Sequence, residues 1–193
     1  MHRIIPLLVL LAAACGGGIA VNTDYDPLAG PRMEAWKAWT WMNPVDPASR
    51  QSDSAVAVVV TGEIERELEN LGYRKEDRVP EFRVGWHALL NGEVDVTTVN
   101  DRYGYAYGRW FPDGGVAYSR GFQTAYGLGT LIVDVADVRS NELVWRGIAR
   151  DVFNGKRGQA EQSVALYQAV TRLLSQFPPT RPERPDTTRN RKT

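Results

Sequence analysis

The sequence predicts an α+β fold: a two-layer sandwich in which a mainly antiparallel sheet carries two helices packed on one face. Three observations carry this expectation. Apolar residues recur at helical spacing in two segments, 54–71 and 158–176. Two other stretches alternate apolar and polar residues about turn signals, Asn91-Gly92 in one and Arg139-Ser140-Asn141 in the other, and read as β-hairpins. The chain has 193 residues, 43% of them hydrophobic, which suits one domain with a substantial core.

Taken in order, "IAVNTDY" (Ile19 to Tyr25) opens with alternation and reads as a strand. "DPLAGP" follows with Pro27, Gly30 and Pro31 and is expected to be a turn region. "WKAWTW" (Trp36 to Trp41) is rich in aromatics and reads as a second strand. Residues 43–53, with Pro44, Asp46, Pro47 and Ser49, form a loop. Ser52, Asp53 or Ser54 can then cap a helix. Its buried stripe is Ala57, Val60, Ile64, Leu68 and Leu71, with Glu63, Glu65, Glu67 and Glu69 largely turned away. Gly72 stops it.

In "EFRVGWHALL", Phe82, Val84, Trp86, Ala88 and Leu90 share one face. His87, on the other, is expected to face solvent. Asn91-Gly92 tolerates the positive φ of a tight turn, so "EVDVTTV" returns as the partner strand. "GTLIVDVADV" and "ELVWRGIARDVF" make the second hairpin. In the last helix Ala160, Val164, Tyr167, Val170, Leu174 and Phe177 mark the expected buried stripe, and Pro178-Pro179 end it. Val84, Trp86, Leu131, Val133, Trp145, Ile64, Leu68, Val170 and Leu174 are the expected core.

The two ends differ from this domain. Arg3, a short apolar run from Ile4 to Leu11 and the small residues Ala12 to Ala14 have the pattern of a secretory signal peptide, residues 1–14. The run is too short to span a membrane, which takes about 18 apolar residues or more. Cys15, the only cysteine, stands where the lipobox of bacterial lipoproteins places its acylated cysteine. The lipobox usually has leucine three residues earlier; here Ala12 holds that position and Leu11 precedes it. The resemblance implies a triacylated amino terminus on Cys15. Residues 15–18 then form a glycine tether and residues 19–177 the domain. Gly16, not aspartate, follows the cysteine, which resembles an outer-membrane sorting signal. Residues 178–193 carry five basic and two acidic residues and no large apolar one, so this tail is expected to be disordered.

Between the hairpins lies a glycine-rich aromatic stretch, 101–129. Tyr103, Tyr105 and Tyr107 alternate, and Arg102, Arg109 and Trp110 flank them. On an extended chain those rings line one side. Tyr103, Tyr105, Tyr107, Arg109 and Trp110 form a candidate recognition surface for a protein or a cell-wall glycan, since aromatic rings give contact area with a polar handle.

"VNTDYDP", "WKAWTW", "LGYRKED" before "PEFRVGWH", "GTLIVDVADVRSNELVWRGIA" and the closing "FPP" resemble the bacterial lipoproteins grouped as domain of unknown function 4136. The resemblance runs from about Val21 to Pro179. It implies an α+β domain on an envelope lipoprotein, and no activity.

Composition narrows the chemistry. The net charge is +0, without the basic excess that nucleic-acid binding needs. Of two histidines, His2 lies in the leader and His87 lacks an evident orienting partner. No G-x-S-x-G elbow is present. Too few histidines and cysteines remain for a metal site built on them. Gly127-Leu128-Gly129 leads into a strand, unlike a dinucleotide fingerprint. Asp134 and Asp137 are three apart, so on a strand they point to opposite faces. Glu63/Glu67 and Glu65/Glu69 read as a solvated helix face with Arg66 and Lys75 as neutralisers. The expectation is a non-catalytic binding or structural lipoprotein at the periplasmic face of the outer membrane. It has no cofactor and no metal, and its partners are the membrane and an envelope protein or glycan. The alternative is a hydrolase or transferase using carboxylates that only the fold brings together.

Overall fold

A computed structural model describes residues 19–43, 55–89, 129–153 and 157–179. These form a six-stranded mixed sheet with three helices. The elements are β1 (Ala20–Tyr25), α1 (Gly30–Ala35), β2 (Ala38–Trp41), α2 (Ala55–Asn70), β3 (Arg74–Lys75), β4 (Phe82–Leu89), β5 (Thr130–Asp137), β6 (Leu143–Arg150) and α3 (Gln159–Leu174). The strand order is β1-β6-β5-β4-β2-β3. The β1-β6-β5-β4 part is antiparallel, as expected. β2 is parallel to both β4 and β3. Parallel strands need a long crossover connection, and α2 supplies it between β2 and β3.

The β5–β6 hairpin forms as the sequence indicates. Asn141 has φ 57 in its turn, a value asparagine tolerates better than most residues. Its amide donates to the Asp137 carbonyl at 2.9 Å. The expected return strand after Asn91-Gly92 lies outside the described residues.

One face of the sheet holds the main core. Val84 pairs with Val135, Ala88 with Leu131 and Val135 with Trp145 across β4, β5 and β6. These side chains pack with Val60, Ile64 and Leu68 of α2 and with Leu166, Val170, Leu173 and Leu174 of α3. Phe177 seals the cluster. Its ring centroid lies 5.4 Å from that of Trp145 and 5.6 Å from that of Phe82. Gly147 is required beneath this packing. A Cβ there would stand 2.5 Å from Trp145 Cη2 and 2.8 Å from Leu173 Cδ2.

Four expectations need correction. "DPLAGP" leads into helix α1, because Pro31 sits in the first turn, where its missing N–H costs nothing, and Met33 is buried. On α2, Leu71 is 42% exposed while Glu63 is buried. On α3 the buried stripe is Ala165, Leu166, Ala169, Val170, Leu173 and Leu174. Ala160, Val164 and Tyr167 face outward. His87 is buried, not solvent-facing, and so are its same-face neighbours Ile132, Asp134, Arg146 and Ile148. The centre of the second face of the sheet is therefore also shielded from water, while Asn22 near its β1 edge is exposed. Of the expected core, only Trp86 is partly exposed.

Candidate functional site

Strand register builds the most unusual polar feature. Arg146 of β6 lies opposite Asp24 of β1 on one side and Asp134 of β5 on the other. All three project to the sheet face away from the main core. Arg146 Nε donates to Asp134 Oδ1 at 2.6 Å and its Nη2 to Oδ2 at 2.7 Å. This two-pronged geometry matches the fork of a guanidinium to a carboxylate. Both side chains are essentially inaccessible, 1% and 0% exposed. Asp24 is half-buried. Burial pushes its carboxyl above the usual range, while the Tyr25 amide and the Arg146 charge pull the other way.

The other buried carboxylates are engaged as well. Asp137 Oδ1 accepts from the Arg139 amide at 2.7 Å and its Oδ2 from Arg32 Nε at 3.2 Å, which pins α1 to the β5–β6 turn. Glu63 is bonded by Arg66 and accepts from Thr171 Oγ1 at 3.2 Å, which ties α2 to α3. At the opposite sheet edge, Glu65 Oε1 accepts from Lys75 Nζ at 2.6 Å and from Trp41 Nε1 at 2.9 Å. The Lys75 hydrogen bond is the main cause holding the Glu65 carboxyl below its usual range. Lys75 Nζ also lies 5.8 Å from the centre of the Trp39 ring and 5.9 Å from that of Trp41. Arg66 thus neutralises Glu63 and Glu67, and Lys75 neutralises Glu65, as the sequence suggested, but Glu63 is buried and not on a solvated face. Asp134 and Asp137 are not a pair; each has its own arginine.

Two recesses run along the helices. One, about 530 Å³, lies between α2 and α3 and is lined by Val58, Val59, Gly62, Glu63, Arg66 and Tyr167. The other, about 470 Å³, follows α3 from Arg157 to Arg172 beside Ile19. Val58 is 74% exposed, Val164 52% and Tyr167 44%, so the outer side of the helix pair presents apolar surface. A polar cleft of about 690 Å³ lies at the other end of the sheet, among Thr40, Asp77, Arg78, Arg83 and Asn141. Arg83 Nη1 donates there to Asn141 Oδ1 at 2.9 Å. Among the described residues no group of histidine, cysteine, aspartate and glutamate could hold a metal ion, and no helix is long and apolar enough to cross a membrane.

Cys15 and the aromatic set Tyr103, Tyr105, Tyr107, Arg109 and Trp110 lie outside the described residues. The structure shows two features the sequence did not indicate: the Asp24–Arg146–Asp134 row, and the exposure of Val58 and of Val164 and Tyr167, the last two expected to be buried. A signal for the second existed. Ala160, Val164 and Tyr167 have helical spacing of their own, so α3 carries two apolar stripes and only one can face the sheet.

No curated protein matches this chain. Among solved structures, a PDZ domain protein from Parabacteroides distasonis is similar over 86% of this chain, with 14% identity and a TM-score of 0.46; the chain spans 38% of that protein's length. The PelC dodecamer from Paraburkholderia phytofirmans is similar over 81% of this chain and 95% of its own, with 11% identity and a TM-score of 0.37. A family model described as "Domain of unknown function (DUF4136)" matches residues 21–179. That match takes in every described strand and helix except the first residue of β1, and the chain belongs to this family.

Proposed function

We propose that this protein is an envelope lipoprotein, held by acylated Cys15 at the periplasmic face of the outer membrane of a Gram-negative bacterium, where it acts as a non-catalytic binding or structural module. The carrying observation is how closely leader and fold abut. Ile19, four residues past Cys15, is already buried, and its carbonyl accepts from Arg172 Nη1 at 3.0 Å. Only Gly16, Gly17 and Gly18 separate the lipobox-like cysteine from the domain. Phe177 is buried in the core, which supports a domain over 19–177 followed by a basic tail. The architecture belongs to the same proposal: sheet and helix pair form two layers, with α2 and α3 sharing one face.

The non-catalytic reading is supported by the carboxylates. A hydrolase built on a carboxylate pair needs two of them converging on a cleft with oxygens available for proton transfer. Asp134, Asp137 and Glu63 instead have their oxygens taken up by arginine, threonine and backbone donors. The partner of this module is an envelope protein or cell-wall glycan, met by Tyr103, Tyr105, Tyr107, Arg109 and Trp110.

Intact mass spectrometry of the chain purified from bacterial membranes tests the anchor. Acyl mass on Cys15 after loss of residues 1–14 is expected; an unmodified amino terminus at Cys15, with no acyl mass, or cleavage elsewhere, refutes it. A triple Tyr→Ala variant at 103, 105 and 107 tests the recognition surface. Unchanged melting with lost partner capture is the expected result, since exposed substitutions usually stay within about 0.5 kcal/mol. A large fall in melting temperature would assign the rings to the core.

A further inference from the structure

We infer that the rim formed by Ile19 and the outer side of α3 is the surface of this domain that lies against the membrane, with phospholipid headgroups as its occupant. The inference rests on the anchoring reading at Cys15.

The first argument is reach. An extended chain covers at most about 3.3–3.6 Å per residue, so Ile19 is no more than about 14 Å from Cys15. The headgroup layer on one side of a bilayer is itself about 5–8 Å thick. Ile19 is fixed in the fold by its burial and by Arg172, and the next residue, Ala20, pairs with Arg150 at the end of β6. Whatever surrounds Ile19 on the protein surface is therefore held within about 9 Å of the headgroup layer.

The second argument is what surrounds it. The recess beside Ile19 is lined by Arg157, Ala160, Glu161, Val164, Gln168 and Arg172. Val164 is 52% exposed and Ala160, one turn before it, is exposed too. Two guanidiniums flank this apolar strip, and Glu161 is the one opposing charge in its lining. Arg157 Nη1 is held by the carbonyls of Asp151 and Val152 at 2.9 and 2.7 Å, so its charge stays at the rim. Apolar side chains bordered by arginines suit the boundary between acyl chains and phosphates. The apolar groups enter the boundary, and the cations meet the phosphates above it.

Geometry supplies the control. Val79 is 75% exposed. It lies in the connection from the β3 edge strand to Phe82 of β4, which pairs with Asp137 at the end of β5. Ile19 is at the β1 edge and at the opposite end of the strands. Val79 thus occupies the diagonally opposite corner, turned away from a membrane at Ile19.

The test uses the full chain, acylated in a host with an outer membrane and reconstituted into phosphatidylethanolamine vesicles containing a minority of phosphatidylglycerol. V164C and V79C are spin-labelled separately; the acylated Cys15 sulfur is a thioether and takes no label. Collision with lipid-soluble oxygen should rise relative to collision with a water-soluble nickel chelate at position 164 on vesicles, and stay at its solution value at 79. Hydrogen exchange of the unsubstituted protein gives a second reading: amides of residues 157–166 should slow on vesicles, and those of 76–81 should not. Equal behaviour of the two sites with Cys15 acylated overturns the membrane-facing rim alone. An unacylated Cys15 in the intact mass overturns both the anchor and the rim.

Discussion

Replacing Arg146 with methionine strips the counter-charge from a carboxylate that has no contact with water. Asp134 is 0% exposed and receives two hydrogen bonds from Arg146, at 2.6 and 2.7 Å. Methionine fills much of the stem volume but donates nothing. Removing one partner of a buried ion pair typically costs about 3–5 kcal/mol, because the other charge is left uncompensated. For a domain of this size, each kcal/mol moves the melting temperature by about 2–4 °C, so R146M should melt about 6–20 °C lower. The double variant R146M/D134L removes the stranded charge along with its partner. Replacing a buried pair by apolar residues of similar volume is often neutral or stabilising, so the double variant should recover most of the loss. Thermal melting and urea unfolding of wild type, both single variants and the double variant give the coupling energy directly. If R146M loses less than about 1 kcal/mol, or the double variant is no better than the single, the pair is not the buried unit described above.

Three further outcomes follow from the same geometry. G147A should lose about 1–3 kcal/mol by overpacking, since its Cβ would press on the Trp145 ring; a wild-type urea midpoint would show that Trp145 moves aside freely. D24N should equal or exceed wild type in stability at neutral pH. Burial raises the Asp24 carboxyl, so the folded state holds its proton more tightly than the unfolded state, and wild-type stability falls as pH rises from the ordinary aspartate value of about 3.8 through the raised one. Melting curves against pH should show D24N gaining on wild type through that window, and parallel curves would refute it. Glu65 has the opposite sign: its lowered carboxyl contributes stability that is present above 4.5 and lost as pH falls through the folded value. The pair is about 40% exposed on both sides, so K75M should cost under about 1 kcal/mol and flatten that acid limb; a loss of several kcal/mol would show a pair far less screened than its exposure indicates.

Local patterning made much of the architecture legible. Helical spacing and the stop signals around 54–71 and 158–176 yield α2 and α3 within a residue or two of their observed ends, while the proposed caps Ser52, Asp53 and Ser54 lie outside the described residues. Alternation and turn chemistry yield β5 and β6 with their Asn141 turn. These are properties of neighbours in sequence, and neighbours are what a sequence displays. Pro31 misled for the same reason: a helix-breaking residue is also a favoured first-turn residue, and only the burial of Met33 distinguishes the two.

Partnership across the sheet was decided by the tertiary structure alone. Strand order sets Arg146 between Asp24 and Asp134, though Asp24 is remote in sequence from both. His87 illustrates the same limit. Alternation correctly put it on the face opposite the main core, but whether that face meets water depends on what lies over it. On α3, two apolar stripes share one helix, and the sheet takes Ala165, Leu166, Ala169, Val170, Leu173 and Leu174 while Val164 and Tyr167 turn outward. Periodicity fixes which residues share a helix face, because that follows from the turn of the backbone; which face is buried follows from the shape of the partner surface, here the Trp145 ring lying over Gly147 against Leu173.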